Sequence, residues 1–191
     1  MSLRVISGSA KGRKLLSVKG DLTRPITDRV KESLFDIIGA DVVGSRWWDV
    51  FAGTGAVGIE ALSRGAAFAR FTDLNREPIE TIKANLRTTR LASLADVQRG
   101  DAFKLIGSTA DMAFDYVYLA PPQFHDLWSA ALTSLDTNAA WLSPDAWVVV
   151  QISPREHLEL SLKTVEAIDT RVYGSTMLVF FTPREQITPP Q

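Results

Sequence analysis

A glycine-rich turn between an apolar segment and a helical pattern is the feature that most constrains the fold of this chain. Residues 47–52 are apolar except for Asp49 and are typical of a buried strand. The turn Gly53-Thr54-Gly55-Ala56-Val57-Gly58 follows, and residues 59–64 have the pattern of a helix. Glycine adopts positive φ and lets a ligand approach the backbone closely, and a helix N-terminus presents unpaired N–H groups. The stretch therefore predicts a nucleotide-binding cradle at the end of a strand.

The glycine spacing alone leaves the ligand open. Gly53-x-Gly55-x-x-Gly58 also fits the dinucleotide-binding fingerprint, so one interpretation is a nicotinamide oxidoreductase. Asp49 argues against it, because a carboxylate at the end of the strand would repel a pyrophosphate but would hold a ligand with a cationic amino-acid end. The chain of 191 residues also has no Tyr-x-x-x-Lys pair and no room for a second substrate domain.

Segments that alternate between strand and helix patterns predict an α/β fold. Further strands are expected at residues 70–74, 96–101, 114–119 and 146–152, with helices at 76–91 and 124–135 and a closing hairpin of 165–173 with 175–181. Asp73 and Asp101 end the second and third strands, as Asp49 lies near the end of the first. Open α/β sheets bind ligands at the carboxyl ends of their strands. Asp73 is therefore placed to meet a ribose, and Asp101 to accept a hydrogen bond from an adenine amine.

The fourth predicted strand ends in a rigid step, Ala120-Pro121-Pro122-Gln123. Proline has no backbone N–H, so the step offers carbonyl oxygens only, which suits the acceptance of hydrogen bonds from an exocyclic amino group. Taken alone, the step is explained equally well as the end of a strand. His125 and His157 have no carboxylate spacing that suggests a metal site, so no metal is expected.

The net charge of −1 hides a basic N-terminal region. Residues 1–35 carry eight Lys or Arg and three acidic residues, whereas the remaining 156 residues carry thirteen basic and nineteen acidic ones. A basic arm on a mildly acidic body is typical of phosphate binding, and a solvated loop is the alternative. Glycines and sparse acidic residues favour an extended arm or hairpin of residues 4–6 and 14–18, with Arg13 and Lys14 as candidate RNA contacts.

A helix is predicted to begin next to this arm. Thr27 is a favourable N-cap, the following apolar residues recur at helical spacing, and Gly39 or the next glycine would end the helix. Arg24 and Arg29 flank the predicted start and are candidates for contact with ligand or RNA. Lys31 is expected to be solvated.

Composition limits the remaining classes of protein. The chain is long enough for one domain with a sizeable core, and its 46% hydrophobic and 23% charged residues are ordinary for a globular protein. The absence of cysteine excludes disulfides and thiolate metal sites. No apolar run approaches the ~20 residues that span a bilayer, and the N-terminus has no signal-peptide pattern. We therefore expect a cytoplasmic protein without membrane contact.

Taken together, these residues resemble the RsmD family of bacterial methyltransferases, which modify the exocyclic N2 of a guanine in small-subunit ribosomal RNA. The resemblance covers about residues 3–183 and rests on Arg24-Pro25-Ile26-Thr27-Asp28-Arg29-Val30-Lys31-Glu32-Ser33-Leu34-Phe35, on the stretch from Asp49 through Ile59-Glu60-Ala61-Leu62-Ser63-Arg64-Gly65-Ala66, and on the Pro-Pro step. It implies a Rossmann-like class I methyltransferase fold, with a seven-stranded, mostly parallel sheet and a reversed last strand. The implied cofactor is S-adenosylmethionine. The implied partner is ribosomal RNA or a small-subunit assembly intermediate.

The resemblance also implies roles for individual residues and a division of the chain. By this resemblance Asp49 and the glycines would contact the methionine end of the cofactor, Asp73 the ribose and Asp101 the adenine. The segment around the start of the first helix would close over cofactor and substrate. The predicted division is a basic arm (1–26), a methyltransferase domain (27–183) and a flexible tail (184–191), in a monomer. The predicted sets are Asp49, Phe51, Gly53, Thr54, Gly55, Asp73, Leu74, Asp101 and Ala102 for the cofactor, Arg13, Lys14, Arg24, Thr27 and Arg29 for RNA, and Pro121, Pro122, Gln123 and Phe124 for catalysis.

The chain departs from the family at the catalytic step. The family usually has Asp-Pro-Pro followed by Phe or Tyr, whereas this chain has Ala120 and Gln123 at the first and last positions. The N2 lone pair of guanine is delocalised into the ring, so an acid–base partner there contributes roughly 10²–10⁴ in rate. Our hypothesis is that transfer persists with the Pro121 carbonyl and the Gln123 amide as acceptors and Phe124 as the stacking ring, with Tyr118 nearby. A non-catalytic relative that binds cofactor or RNA is the alternative.

Overall fold

In a computed structural model, which describes residues 3–18 and 26–185, the chain folds around a seven-stranded sheet. The strands are β1 (Arg46–Asp49), β2 (Phe68–Asp73), β3 (Ala95–Arg99), β4 (Phe114–Leu119), β5 (Leu142–Ile152), β6 (Val165–Tyr173) and β7 (Thr176–Pro183). Their spatial order is β3-β2-β1-β4-β5-β7-β6. The first five strands pair in parallel, and β7 runs antiparallel to both β5 and β6. The predicted Rossmann-like sheet with a reversed last strand is therefore confirmed.

Among the described residues, five α-helices accompany the sheet: α1 (Asp28–Ile38), α2 (Ala56–Ser63), α3 (Arg76–Thr89), α4 (Ala102–Ile106) and α5 (Leu127–Thr137). The predicted start of α1 is confirmed, because Oγ1 of Thr27 accepts a hydrogen bond from the N–H of Val30 at 3.3 Å. Gly39, with φ of 63°, ends this helix. No helix in the described part of the chain combines the length and the apolar character needed to cross a bilayer.

Three elements differ from the predicted bounds next to the glycine turn and the Pro-Pro step. β1 ends at Asp49, before the predicted residue 52, although the N–H of Val50 still bonds the carbonyl of Tyr118 in β4 and the N–H of Ala52 that of Thr72 in β2. α2 begins earlier than predicted, and all of its residues are buried, so it has no polar face to mark its start. α5 begins later than predicted, because Phe124 and Asp126 adopt φ of 64° and 53°.

Two apolar layers cover the two faces of the sheet. The buried Trp47 stacks on one face with Phe35 at 5.3 Å and Tyr116 at 4.6 Å between ring centroids. Its neighbour Trp48 packs on the other face, 4.7 Å from the ring of Trp141. Successive residues of a strand point to opposite faces, which explains how two adjacent tryptophans are both fully buried.

The N-terminal arm, defined here as residues 3–18, packs along α2 and α3. An antiparallel bridge pairs Arg4 with Lys14, as expected for a hairpin. The carboxylate of Glu60, inside α2, accepts hydrogen bonds from two backbone N–H groups of the arm, those of Ile6 at 2.8 Å and Ser7 at 2.9 Å. The arm is therefore attached to the body through buried polar contacts.

The prediction that Lys31 is solvated was wrong. Its side chain is inaccessible to solvent, and Nζ lies 3.3 Å from Oε2 of Glu60 and donates to the carbonyl of Arg4. Burial lowers the pKa of Lys31, and the neighbouring Glu60 carboxylate opposes that shift. The error arose because the arm covers this face of α1, and a contact between residues 4 and 31 leaves no mark on the local sequence pattern.

Candidate active site

A cleft of about 540 Å³ opens at the carboxyl ends of β1, β4 and β5. The chain order reverses between β1 and β4, and open α/β sheets bind ligands at such a point. Of the predicted site residues, those that line the cleft are Asp49, Phe51, Gly53, Thr54, Pro121, Pro122, Gln123 and Phe124. The structure therefore brings the glycine turn and the Pro-Pro step together. Within residues 3–18 and 26–185 there is no group of three or more acidic or histidine side chains arranged to hold a metal ion.

The glycine turn, residues 53–58, has a backbone that other residues would strain. Gly53 and Gly55 have φ of 53° and 74°, in the left-handed region. A Cβ on Gly53 would meet no atom within 4 Å, so the backbone there is open to a ligand in the cleft. Gly58 has a different role, since a Cβ on it would lie 2.4 Å from the ring of Phe71. It therefore allows α2 to pack closely on β2.

Asp49 provides a buried carboxyl group in the cleft wall. It is 2% exposed, and its Oδ2 accepts a hydrogen bond from the N–H of Gly58 at 3.3 Å. Burial raises the pKa of Asp49 from 3.8 to about 7; the Gly58 hydrogen bond opposes this shift and the charge of Asp73 adds to it. No salt bridge to Asp49 comes from the described residues. A cationic ligand group would therefore be favoured here, because it would stabilise the ionised carboxylate.

The other two strand-end carboxylates hold local backbone. Asp73 accepts hydrogen bonds from the N–H of Gly53 at 3.1 Å and of Asn75 at 3.0 Å. Asp101 caps α4 by accepting two backbone N–H groups. Their predicted contacts with ribose and adenine stay predictions. The described residues that line the cleft do not include the predicted cofactor residues Gly55, Asp73, Leu74, Asp101 and Ala102.

The Pro-Pro step forms another part of the cleft wall. Pro121 is buried, whereas Pro122 and Gln123 are half-buried. Phe124 follows with 66% of its surface exposed, and its N–H donates to Oε1 of Glu156. An exposed aromatic ring at the edge of a cleft is suited to stack on a planar ligand.

Two buried polar side chains of the cleft were absent from the predicted sets. Tyr118 in β4 donates its hydroxyl to Oε1 of Gln151 in β5 at 2.5 Å, and both residues line the cleft. Burial, together with the charge of Asp49, raises the pKa of Tyr118 well above its usual value, so the phenol stays protonated. Gln151 is a polar residue within an apolar strand, which is the signal that would have marked it. Ile26 and His125 also line the cleft and were not predicted.

The described members of the predicted RNA-binding set do not line this cleft. Lys14 is exposed, while Arg13 donates through Nη1 to a backbone carbonyl near the end of α3 at 2.8 Å. Thr27 caps α1, and Arg29 in its first turn is exposed. Arg24 lies outside the described residues. Contacts of this set with RNA stay predictions.

A single buried amide connects the arm to the glycine turn. Asn85 in α3 is inaccessible, and its Oδ1 accepts the N–H of Leu16 at 2.7 Å. Its Nδ2 donates to the carbonyls of Leu16 at 3.1 Å and Thr54 at 3.0 Å. The last part of the arm and a cleft-lining residue therefore share one partner.

Comparison with known proteins agrees with this geometry. Residues 3–182 match the family model described as conserved hypothetical protein 95. The Bacillus subtilis protein YlbH is 38% identical over 184 residues, which cover 95% of this chain and 100% of YlbH. Ribosomal RNA small subunit methyltransferase D of Haemophilus influenzae is 33% identical over 180 residues, covering 90% of this chain and 93% of that protein.

Solved structures agree as well. The yhhF protein of Escherichia coli is 29% identical with a TM-score of 0.86, covering 97% of this chain and 100% of the other. An RNA methyltransferase from Salinibacter ruber in complex with S-adenosyl-L-homocysteine is 19% identical with a TM-score of 0.64, covering 87% and 98%, and is alike in fold. These likenesses confirm the predicted class I methyltransferase fold. The chain therefore belongs to the conserved hypothetical protein 95 family of RsmD-like methyltransferases.

Proposed function

We propose that this S-adenosylmethionine-dependent methyltransferase modifies the exocyclic N2 of a guanine in small-subunit ribosomal RNA. The observation that carries the proposal is that the carboxyl group of Asp49 and the Pro-Pro step line one cleft. The first suits a cationic cofactor group, and the second suits an exocyclic amine. The Haemophilus influenzae relative is named as a small-subunit ribosomal RNA methyltransferase, which supports the choice of substrate.

The cleft fits the amino-acid end of S-adenosylmethionine. Asp49 would pair with the α-ammonium group, and the open backbone at Gly53 would let the cofactor lie against the turn. Asp73 and Asp101, at the ends of the adjacent strands, would reach the ribose and the adenine. The bound cofactor would supply an electrophilic methyl group on a sulfonium centre.

On the acceptor side, guanine N2 must lose a proton when it gains the methyl group. The Pro121 carbonyl and the Gln123 side-chain oxygen are neutral acceptors, so they orient the amine through its N–H groups but do not take up the proton. Orientation of this kind lowers a barrier by up to roughly 7–11 kcal/mol. The carboxylate that Ala120 lacks would add roughly 10²–10⁴ in rate. We therefore expect slow transfer, with the proton passing to solvent.

The substrate side combines a stacking surface with cations. The exposed ring of Phe124 would stack on the target base, a contact worth roughly 1–3 kcal/mol. Arg13 and Lys14 on the arm, with Arg29 on α1, would contact phosphates of the RNA. The base would thus enter the cleft beside the Pro-Pro step while the arm holds the backbone.

Methyl transfer by the purified protein tests the proposal. Labelled S-adenosylmethionine is incubated with undermethylated small-subunit RNA and with small-subunit assembly intermediates. Label on guanine N2 supports the proposal. Binding of S-adenosylhomocysteine without transfer to either substrate would refute it and favour the non-catalytic relative. Calorimetry with S-adenosylhomocysteine and with NAD separates the two classes of cofactor that the glycine spacing allows.

Ala120→Asp measures the effect of the missing carboxylate. If the native protein transfers slowly, restoring the acid–base partner should raise the rate by about 10²–10⁴. A gain from a native protein with no transfer would instead show that the Pro-Pro step is degenerate.

A further inference from the structure

We propose that Glu156 is a positioning residue that fixes Phe124 as the base-stacking surface. The inference rests on the proposed function, since it assigns a fixed place to the ring that would meet the target base. It also concerns a departure from the family pattern, since the aromatic residue lies one position later than in the usual motif.

Phe124 has a backbone that its own sequence does not favour. It is a bulky residue with φ of 64°, and Asp126, two positions later, has φ of 53°. Non-glycine residues rarely adopt this region, and they do so where surrounding structure holds them. Phe124 as a whole is nevertheless 66% exposed, so apolar packing does not hold it in place. Another contact must hold the backbone.

The contact that does so comes from Glu156. Residues 123 and 124 form a turn, and within the described part of the chain the hydrogen bond from residues 121–125 to a residue outside this loop is the one from the N–H of Phe124 to Oε1 of Glu156. Pro121 and Pro122 have no N–H to contribute. The Phe124 backbone is therefore held from outside its own loop.

Glu156 is itself fixed to the end of the sheet. It lies in the short 3₁₀ turn Pro154–Glu156, immediately after β5. Its Oε2 accepts the N–H of Ser153 at 3.1 Å, which is the glutamate half of a capping box, and Oγ of Ser153 also accepts the N–H of Arg155 at 3.4 Å. Both carboxylate oxygens are thus used, one for the turn and one for Phe124. The chain after β5 thereby sets the position of the loop after β4.

A spectroscopic experiment tests this positioning without requiring transfer. 4-Fluorophenylalanine is placed at position 124 of the full chain, and its ¹⁹F resonance is recorded for the native background, Glu156→Ala, Glu156→Gln and the control Glu159→Ala. Glu159 is an exposed glutamate three positions further along the same segment. We expect one displaced resonance in the native and control proteins, and a narrower resonance near the free amino-acid value in Glu156→Ala. Glu156→Gln, which keeps an acceptor oxygen, should return the resonance toward the native position. Identical spectra for all four proteins would overturn the proposal.

Kinetics with RNA tests the consequence for the reaction. Glu156→Ala should lower kcat/KM for RNA about tenfold or more, while the affinity for S-adenosylhomocysteine stays within about twofold of native. In a Phe124→Ala background the same change should cost little, because the ring it positions is gone. An equal loss in both backgrounds would overturn the proposal. A native protein that binds S-adenosylhomocysteine but transfers no methyl group would refute the proposed function, and the ¹⁹F spectra would then decide the positioning by themselves.

Discussion

Replacing Asp49 by asparagine is expected to stabilise the cofactor-free protein, and more so as the pH rises. Burial raises the pKa of Asp49 from 3.8 to about 7, so the folded protein holds this proton at pH values where the unfolded chain has lost it. Stability therefore falls as the pH rises from the unfolded pKa, and the loss is complete above the folded pKa. Asparagine does not titrate, and it keeps an oxygen for the N–H of Gly58.

The size of the effect follows from the two pKa values. One unit corresponds to about 1.4 kcal/mol, so the whole shift corresponds to about 4 kcal/mol as an upper bound. At about pH 5.5 the unfolded group is already ionised while the folded one is protonated, which accounts for about 2 kcal/mol. The remaining ~2 kcal/mol develops between about pH 5.5 and pH 8.5. This second part is the measurable quantity, because any pH-independent effect of the amide on packing cancels from it.

Urea unfolding without cofactor directly measures this pH-dependent difference in the free energy of unfolding. The free energy of unfolding is determined at about pH 5.5 and 8.5 for the native protein, for Asp49→Asn and for Asp41→Asn, an exposed aspartate outside the cleft. Measured relative to the control Asp41→Asn, the advantage of Asp49→Asn should grow by about 2 kcal/mol over this range. The same Asp49→Asn protein should bind S-adenosylhomocysteine more weakly. An advantage that stays constant with pH would refute a raised pKa of Asp49, and native affinity would remove Asp49 from the cofactor site.

Three further changes test the arm and its attachment. Charge reversal at Arg13 and Lys14 should weaken RNA affinity and flatten its salt dependence in anisotropy titrations; an unchanged slope would contradict a role in phosphate binding. Lys31→Met should lower the free energy of unfolding by about 2 kcal/mol, since the buried Glu60 loses one of its two cations and keeps Arg64 at 2.9 Å. Urea unfolding showing a loss below about 1 kcal/mol would mean that Arg64 and the backbone donors suffice. Asn85→Leu should speed amide hydrogen exchange along the arm and weaken S-adenosylhomocysteine binding. Native exchange rates would contradict the idea that Asn85 connects the arm to the glycine turn.

The parts of the fold that could be predicted are those with a local signal. The bounds of β4 and β6 match the predicted residues 114–119 and 165–173, because each is a strand pattern that ends at proline or glycine. The cap at Thr27 joins residues only three positions apart, and the placement of Asp49 at the end of β1 depends on a single strand. Such features can be predicted without knowing which residues pack against them.

The parts that could not be predicted depend on contacts between distant residues. Lys31 is buried because residues of the arm cover it, and the sequence around Lys31 reads as an exposed helical position. The hydrogen bond from Phe124 to Glu156 joins positions 32 apart in two separate loops. Gln151 belongs to the cleft only because β5 lies beside β4. In each case the local pattern gives the residue type but leaves its partner undetermined.

The glycine turn is held by side chains from two strands and one helix. Asp49 from β1, Asp73 from β2 and Asn85 from α3 each bond a backbone group of residues 53–58. Because the protein's own side chains supply these contacts, cofactor binding would require little ordering of the turn. A site in which alanine replaces the carboxylate at position 120 depends on orientation for what rate it has. A pre-formed turn on one wall and a fixed Phe124 on the other are therefore the two features on which methyl transfer by this chain would depend.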